Sequence, residues 1–293
     1  MEKVKSNLKP IFLLALAVFC AVIWYAVFYF EARQNLLVTF FDVGQGDAIF
    51  IEASNGNQIL IDGGPGDAIL PKLGREMPFW DRSIDMLVLT HPHADHLDGL
   101  LEVFKRYDVS AVLTSGAAHS IPEYQEWAEL LKEKGVNTII AKAGQRIDAG
   151  SGVAFDVLAP FEDFSGQSPK NPHDASVVMR LVHGENSILF MGDAEKSIER
   201  RLLFESLNSK FFILNSRILK VGHHGSKTST SDEFLRAVSP EISVIQAGRK
   251  NRYGHPTQEV LDRLALVGAK IFRNDLDGDV TIESDGTALD IKK

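Results

Sequence analysis

The run His91-Pro92-His93-Ala94-Asp95-His96 puts four ligand-type side chains into six positions. It follows the apolar segment MLVLT (86–90), which reads as a strand, and leads into a helical pattern over 96–107. Two residues apart at a strand end, His91 and His93 project to one side, where both imidazoles reach one cation. Asp95 and His96 open the next turn and reach a second. Imidazole and carboxylate without thiolate suit zinc, and also manganese or iron. The single cysteine, Cys20, permits neither a cysteine-based zinc site nor an intrachain disulfide. A pair of ions needs a bridging ligand. Asp193, after the apolar strand SILFM (187–191) and Gly192, is placed to bridge, or to cap the helical pattern 194–207. Two more histidine sites stand at strand-to-helix junctions: His223-His224 in LKVGHHGSKTSTS (219–231) and His255 in NRYGHPTQEV (251–260). The chemistry this set suits is metal-assisted hydrolysis, in which two cations lower the pKa of a bound water and polarise the substrate.

These side chains must be carried on a scaffold of strands and helices. Strand-type runs recur at 36–42, 48–53, 58–62, 86–90, 137–141, 153–158, 176–183, 187–191, 217–221, 242–246 and 279–284. Helical patterns lie at 96–107, 122–135, 194–207 and 256–268. Asn55-Gly56-Asn57 reads as a hairpin turn, Ser120 to Glu123 as a capping box and Gly135 as a helix stop. The pattern predicts one α/β domain over 31–293. The composition, 45% hydrophobic and 24% charged with 23 Gly and 11 Pro, excludes a disordered chain, a collagen repeat and a coiled coil.

Ile11 to Phe30 is an apolar run of 20 residues without charge, preceded by Lys3, Lys5 and Lys9. As a helix it spans roughly 30 Å, the thickness of a bilayer core. Residues 1–10 are thus expected to be a cytoplasmic N-terminus and residues 11–30 a transmembrane anchor. The positive-inside rule puts 31–293 outside, as a single-pass protein of the cell membrane. Trp24, Tyr25, Phe28, Tyr29 and Phe30 suit an interfacial belt. A cleaved signal peptide is the competing reading, but bulky rings stand where its small residues would be. The net charge is −8, and −10 once Glu2, Lys3, Lys5 and Lys9 are set aside. This weighs against a protein that works by wrapping phosphates in basic surface.

The sequence resembles the metallo-β-lactamase superfamily, and within it the C-terminal hydrolase domain of ComEC competence proteins. The resemblance is carried by FDVGQGDA (41–48), LIDGG (60–64), THPHADHLDGL (90–100), HDASVVMRL (173–181), FMGDAE (190–195), KVGHHGSKTS (220–229) and NRYGHP (251–256). It implies a four-layer αββα sandwich with two divalent ions, zinc or manganese, at one edge between the sheets. His91 and His93 would hold one ion, Asp95 and His96 the other, with Asp193 bridging. It also implies His255 as a ligand of the second ion, with His223 or His224 as general acid and Asp95 in the catalytic set. ComEC domains often have Asp where this chain has His93, and Asn where it has His173. His173 is therefore a candidate third ligand of the first ion, with Asp174 as fallback. Asp62 is expected to brace the metal loop by hydrogen bonding.

Ser226, Thr228 and Ser229 are candidates to contact phosphate, although Ser229 to Asp232 also reads as a capping box. Arg249-Lys250-Asn251-Arg252-Tyr253, a basic stretch with an aromatic, makes Arg249 and Arg252 candidates for a phosphodiester, DNA in particular. The expected function is a membrane-anchored phosphodiesterase or nuclease linked to DNA uptake. The alternatives are a hydrolase of lactones, thioesters or β-lactams, and a non-catalytic module that binds DNA or a channel partner. With one apolar span the chain does not form a DNA channel alone, so a separate multi-span partner is implied.

Overall fold

A computed structural model describes residues 2–31 and 35–293; side chains are described for 9–25, 27 and 35–293. The chain opens with α1 (Glu2–Glu31). Among the described residues no helix is long and apolar enough to cross a membrane. The longest uninterrupted stretch of α1 with described side chains is 9–25, and Lys3, Lys5, Phe28, Tyr29 and Phe30 lie outside those residues. Within that stretch Ile11, Phe12, Leu14, Phe19 and Trp24 are all exposed.

There follow β1 (Leu36–Phe40), β2 (Ile49–Glu52), β3 (Gln58–Ile61), α2 (Ile69–Glu76), β4 (Ser83–Leu89), α3 (Ala94–Arg106), β5 (Asp108–Thr114), α4 (Pro122–Lys134) and β6 (Asn137–Ile140). A second group comprises β7 (Arg146–Gly150), β8 (Val153–Ala159), β9 (Val178–His183), β10 (Asn186–Phe190), α5 (Lys196–Asn208), β11 (Ile218–Lys220), α6 (Asp232–Val238), β12 (Ile242–Ile245), α7 (Gln258–Leu266), β13 (Lys270–Arg273) and α8 (Asn274–Asp277). Then β14 (Val280–Ser284) and β15 (Leu289–Lys292) return to the first sheet. The first sheet has the order β15-β14-β1-β2-β3-β4-β5-β6, the second β13-β12-β11-β10-β9-β8-β7.

Alternation along the strands builds the layers. Ile49, Ile51 and Val88 of the first sheet meet Ile188 and Phe190 of the second in a central core. The intervening residues Phe50, Leu87 and Leu89 face outward onto Leu97, Leu100 and Phe104 of α3 and Trp127 of α4. Leu189 and Leu219 face the other way, onto Leu202 of α5, Phe234 of α6 and Val260 of α7. The result is helix, sheet, sheet, helix, the expected sandwich. One local reading is corrected and one holds. The N-cap of α4 is Ile121 with no side-chain cap, Pro122 taking the first turn, so Ser120 closes no capping box. Gly135 does end that helix, in the left-handed conformation at φ 60°.

The topology puts chemistry at one rim. Strands β3, β4, β5 and β6 run parallel, as do β10, β11, β12 and β13, while β9 runs antiparallel to β10. The loops leaving β3, β4, β10, β11 and β12, and the one entering β9, therefore meet at the carboxyl ends of the parallel strands, where ligands of open α/β sheets bind. The Val177 amide donates to the Thr90 carbonyl (2.9 Å) and ties the two sheets together there.

Candidate metal centre

His91 and His93 follow β4, and Asp95 and His96 form the first turn of α3. His173 lies in the turn before β9, Asp193 follows β10, and His223 and His224 follow β11. Close backbone contact makes this possible. A Cβ on Gly99 of α3 would sit 1.9 Å from the Gly63 carbonyl oxygen, so only glycine lets the helix dock on the LIDGG loop. His223 and His224 hold φ of 48° and 53°, the left-handed region, which is costly for a residue with a Cβ and concentrates at functional sites.

The ligand atoms converge on Asp193. Its Oδ2 lies 3.8 Å from His91 Nε2, 4.0 Å from His173 Nε2, 3.4 Å from His96 Nε2 and 3.6 Å from His224 Nε2. Two groups flank it: His91, His93 and His173 on one side, Asp95, His96 and His224 on the other, each with ligand atoms within 4.8 Å of one another. His91 Nε2 and His93 Nδ1 face each other at 3.0 Å. Among the described residues, His96 Nε2, His224 Nε2 and Asp193 Oδ1 are buried without hydrogen-bond partners. Buried polar atoms are almost always satisfied, and nitrogen and carboxylate atoms left bare around one space fit divalent cations.

The expected residues are not all gathered alike. His224, not His255, stands beside Asp95 and Asp193, with its Nε2 3.5 Å from Asp95 Oδ2. Its Nδ1 donates to the Gln246 carbonyl (2.9 Å), which leaves Nε2 turned toward the aspartates. His255 lies further out, its ring 5.8 Å from that of His223, and lines a 330 Å³ cavity together with Asp193, His223 and Tyr253. His223 is half-buried, with Nδ1 3.3 Å from Glu195 and Nε2 3.8 Å from Asp193. Asp193 does not cap α5, whose N-cap is Glu195. Asp174 turns to the Ser197 hydroxyl at 3.3 Å. Ser226 and Ser229 are buried: the Ser229 hydroxyl donates to the Gly222 carbonyl (2.7 Å), and Ser226 contacts Thr228. Nor does Ser229 open a capping box, because the Glu199 carboxylate accepts from the Thr230 and Ser231 amides at the start of α6. Arg249 donates to the Asp275 carbonyl (3.0 Å) and lines neither cavity of the site, while Arg252 reaches a neighbouring one.

A second ring of carboxylates holds the imidazoles. Asp62 accepts from the Thr90 amide and hydroxyl (2.8 and 2.6 Å) and from His96 Nδ1 (2.8 Å). Asp47 lies 3.3 Å from His224 Nδ1 and pairs with the fully buried Lys220, whose ammonium also donates to the Gly192 carbonyl (3.1 Å). Glu195 sits 3.6 Å from His173 Nδ1 and accepts from Asn171 (3.0 Å). Asp47, Glu195 and Lys220 were not singled out in the sequence. The sequence marks Asp47 and Glu195 only as acidic residues inside FDVGQGDA and FMGDAE, and Lys220 only as the first residue of KVGHHGSKTS.

Charge is distributed unevenly. Burial, with the neighbouring His96, holds His91 well below the usual imidazole range, and burial with His173 brings His93 down to about 4. Both imidazoles are expected to be neutral at pH 7, the form a cation ligand takes. Burial opposes charge on His224 too, but Asp193 and Asp47 outweigh it and push the group up to about 10. His96 is raised in the same way by Asp193 and Asp62. With both groups raised above the usual imidazole range, His96 and His224 are expected to hold their protons at pH 7 in the metal-free protein, and a cation bound beside Asp95 would displace them. Loading is expected to release about one to two protons, and affinity to fall as the pH is lowered. Titration calorimetry in two buffers of different ionisation heat reads the release; equal heats in both would contradict it.

The Metallo-beta-lactamase superfamily matches residues 41–249. ComE operon protein 3 of Bacillus subtilis (strain 168) is 28% identical over 279 residues, covering 89% of this chain and 35% of that protein. Competence protein ComA of Neisseria gonorrhoeae is 35% identical over 253 residues, covering 84% of this chain and 32% of that protein. The chain thus spans about a third of the length of these curated relatives. Among solved structures, CmlA, a diiron beta-hydroxylase from Streptomyces venezuelae, shares the fold with a TM-score of 0.57 and 18% identity over 85% of this chain and 54% of that one. With its two facing sheets, the histidine and aspartate clusters at their common rim and the match over most of its length, the chain belongs to the metallo-β-lactamase superfamily, with competence proteins among its relatives.

Proposed function

We propose that this protein is a hydrolase dependent on two divalent cations, that its substrate is a phosphodiester, DNA in particular, and that residues 11–30 tether it to a membrane with the site outside. The observation that carries the reading is the bare carboxylate of Asp193 between two three-residue ligand groups. His91, His93 and His173 would hold one ion, Asp95, His96 and His224 the other, and Asp193 both. The donors are nitrogen and oxygen only, which suits zinc or manganese; the diiron CmlA shows that iron also suits this fold. Bound there, the ions would supply Lewis acidity to the phosphoryl oxygens and to the attacking water.

The chain's own residues divide the remaining work. Asp62 and Asp47 hold His96 and His224 in orientation. His223 stands at the cavity wall with its Nε2 toward the centre and is fixed by Glu195 and Thr228 at Nδ1 (3.3 Å each). In the free protein burial lowers its pKa. An anionic phosphodiester beside it reverses that balance and lets it donate a proton to the leaving oxygen. His255 lines the cavity as a substrate contact rather than a ligand. The apolar faces of α1 support the tether, because a helix apolar all round is stable in lipid. The likeness to competence proteins supports a role in competence; DNA as substrate and a separate channel-forming partner are part of the same proposal.

The reading is tested by assaying the full chain on a single-stranded oligonucleotide, after chelation and after adding back manganese or zinc. Cleavage is expected to return with metal and to fall with rising salt. Turnover of lactones, thioesters or β-lactams that ignores salt, without cleavage of the oligonucleotide, would contradict it.

A further inference from the structure

A second recess of about 420 Å³ opens beside the metal cavity and shares Gln45, Ala94, Asp95 and Tyr253 with it. Its other walls are chemically mixed. Pro65 is apolar, Asp98 presents a carboxylate, and Lys250 and Arg252 bring positive charge. Among the described residues Asp98 Oδ1 is buried without a hydrogen-bond partner, while the same carboxylate accepts from the Gly66 amide. Tyr253 is 54% exposed, and its ring lies nearly parallel to that of His255, 15° apart in plane with centroids 5.9 Å apart. The Arg252 guanidinium lies over the same ring at 5.2 Å.

The loop that carries this aromatic is held rigidly. Asn251 donates to the Gly248 and His255 carbonyls (2.7 and 2.6 Å) and accepts from the His255 amide (2.9 Å). The Gly248 amide in turn donates to Gln45 (3.2 Å), which joins the loop to the β1–β2 connection. An exposed aromatic face on a fixed loop is a platform, not a mobile flap. Flat π-systems stack on such a face irrespective of their identity, and an adjacent carboxylate accepts from an amino or ring N–H group.

We propose that this recess is a subsite for one unpaired nucleobase next to the scissile phosphodiester. Tyr253 is its stacking surface, Asp98 the acceptor for a base amino group, and Lys250 and Arg252 the contacts of the flanking phosphate. This rests on the phosphodiester reading above and deepens it. A base within a duplex is stacked on both faces and cannot enter, so the site selects single strands. Cytosine offers Asp98 an exocyclic amine, whereas the only ring N–H of thymine lies between two carbonyl oxygens that repel a carboxylate, so cytosine is preferred.

The test is binding rather than turnover, so that its failure is separable from failure of the hydrolase reading. The full chain in chelator is titrated with fluorescein-labelled eight-residue strands: all-dC, all-dT, and a strand of the same length without bases. The base-free strand is expected to bind about tenfold more weakly, within the range set by one stacked base. Tyr253→Ala is expected to bring base-containing strands down to that level, and Tyr253→Trp to restore them. Asp98→Asn is expected to remove the dC preference without lowering dT affinity. Base-preferring binding without cleavage upholds the subsite and sinks the nuclease. Equal binding of strands with and without bases, or equal loss for all three strands in Tyr253→Ala, overturns the subsite.

Discussion

Asp193→Asn is expected to leave the sandwich folded and to empty the centre. The wild-type chain is expected to hold about two divalent ions and the variant less than one, because the carboxamide loses the charge that faces both ligand groups. Loss of a Lewis acid forfeits several kcal/mol of transition-state stabilisation, so hydrolysis falls on the order of a thousandfold or more. Metal analysis with kinetics on the same preparation checks both. The metal-free protein reports the cause independently. Asp193 is the largest source of positive shift at His224 and His96, so both imidazoles titrate lower in the variant by NMR. Two ions retained with wild-type turnover would remove Asp193 from the bridge.

His223→Ala is expected to give the second-largest effect, and one that depends on the leaving group. A positioned proton donor contributes about 10²–10⁴-fold. That factor is expected on an oligonucleotide, whose alkoxide leaves poorly. On bis(p-nitrophenyl) phosphate, whose phenolate leaves without a proton, the loss should be less than about tenfold. Metal content should stay at the wild-type value. This last point matters because His223 also forms a possible ligand group with His173 and Asp193. Equal loss on both substrates together with loss of an ion would make His223 a ligand and leave the proton to another group.

The part of the site legible in the sequence is the part that is contiguous. His91 to His96 can be read because a strand end and a helix start fix their directions without knowledge of any partner. The choice between His224 and His255 could not be made in that way. It depends on the left-handed backbone at 223–224 and on the Gln246 carbonyl, 22 residues away, which turns His224 inward. Asp47 and Glu195 escaped notice for the same reason. Their roles arise only when the β1–β2 loop and the start of α5 are folded against the rim. Ser226 and Ser229 show the reverse error, since hydroxyls beside a histidine pair suggest substrate contact, yet both close the turn internally.

The fold was legible where burial is one-sided. Central strands such as β4 and β10 carry apolar runs that cannot be mistaken. Strands β5, β7, β13 and β15 do not stand out in the sequence: each has half or more of its residues outside the core, and β7, β13 and β15 lie at sheet edges. An edge strand needs little apolar surface, so its pattern fades into loop composition. Helix α2 was hidden by Pro71 and Gly74 within it, although Ile69 and Leu73 anchor it on the first sheet.

Two cations sharing Asp193 are the centre of the proposed chemistry, and anomalous X-ray scattering from crystals of the metal-loaded protein tests that directly. Two peaks are expected, one within bonding distance of His91, His93 and His173, the other of Asp95, His96 and His224, with the Asp193 carboxylate touching both. A single peak away from Asp193, or no ordered ion in a well-folded crystal, would contradict it.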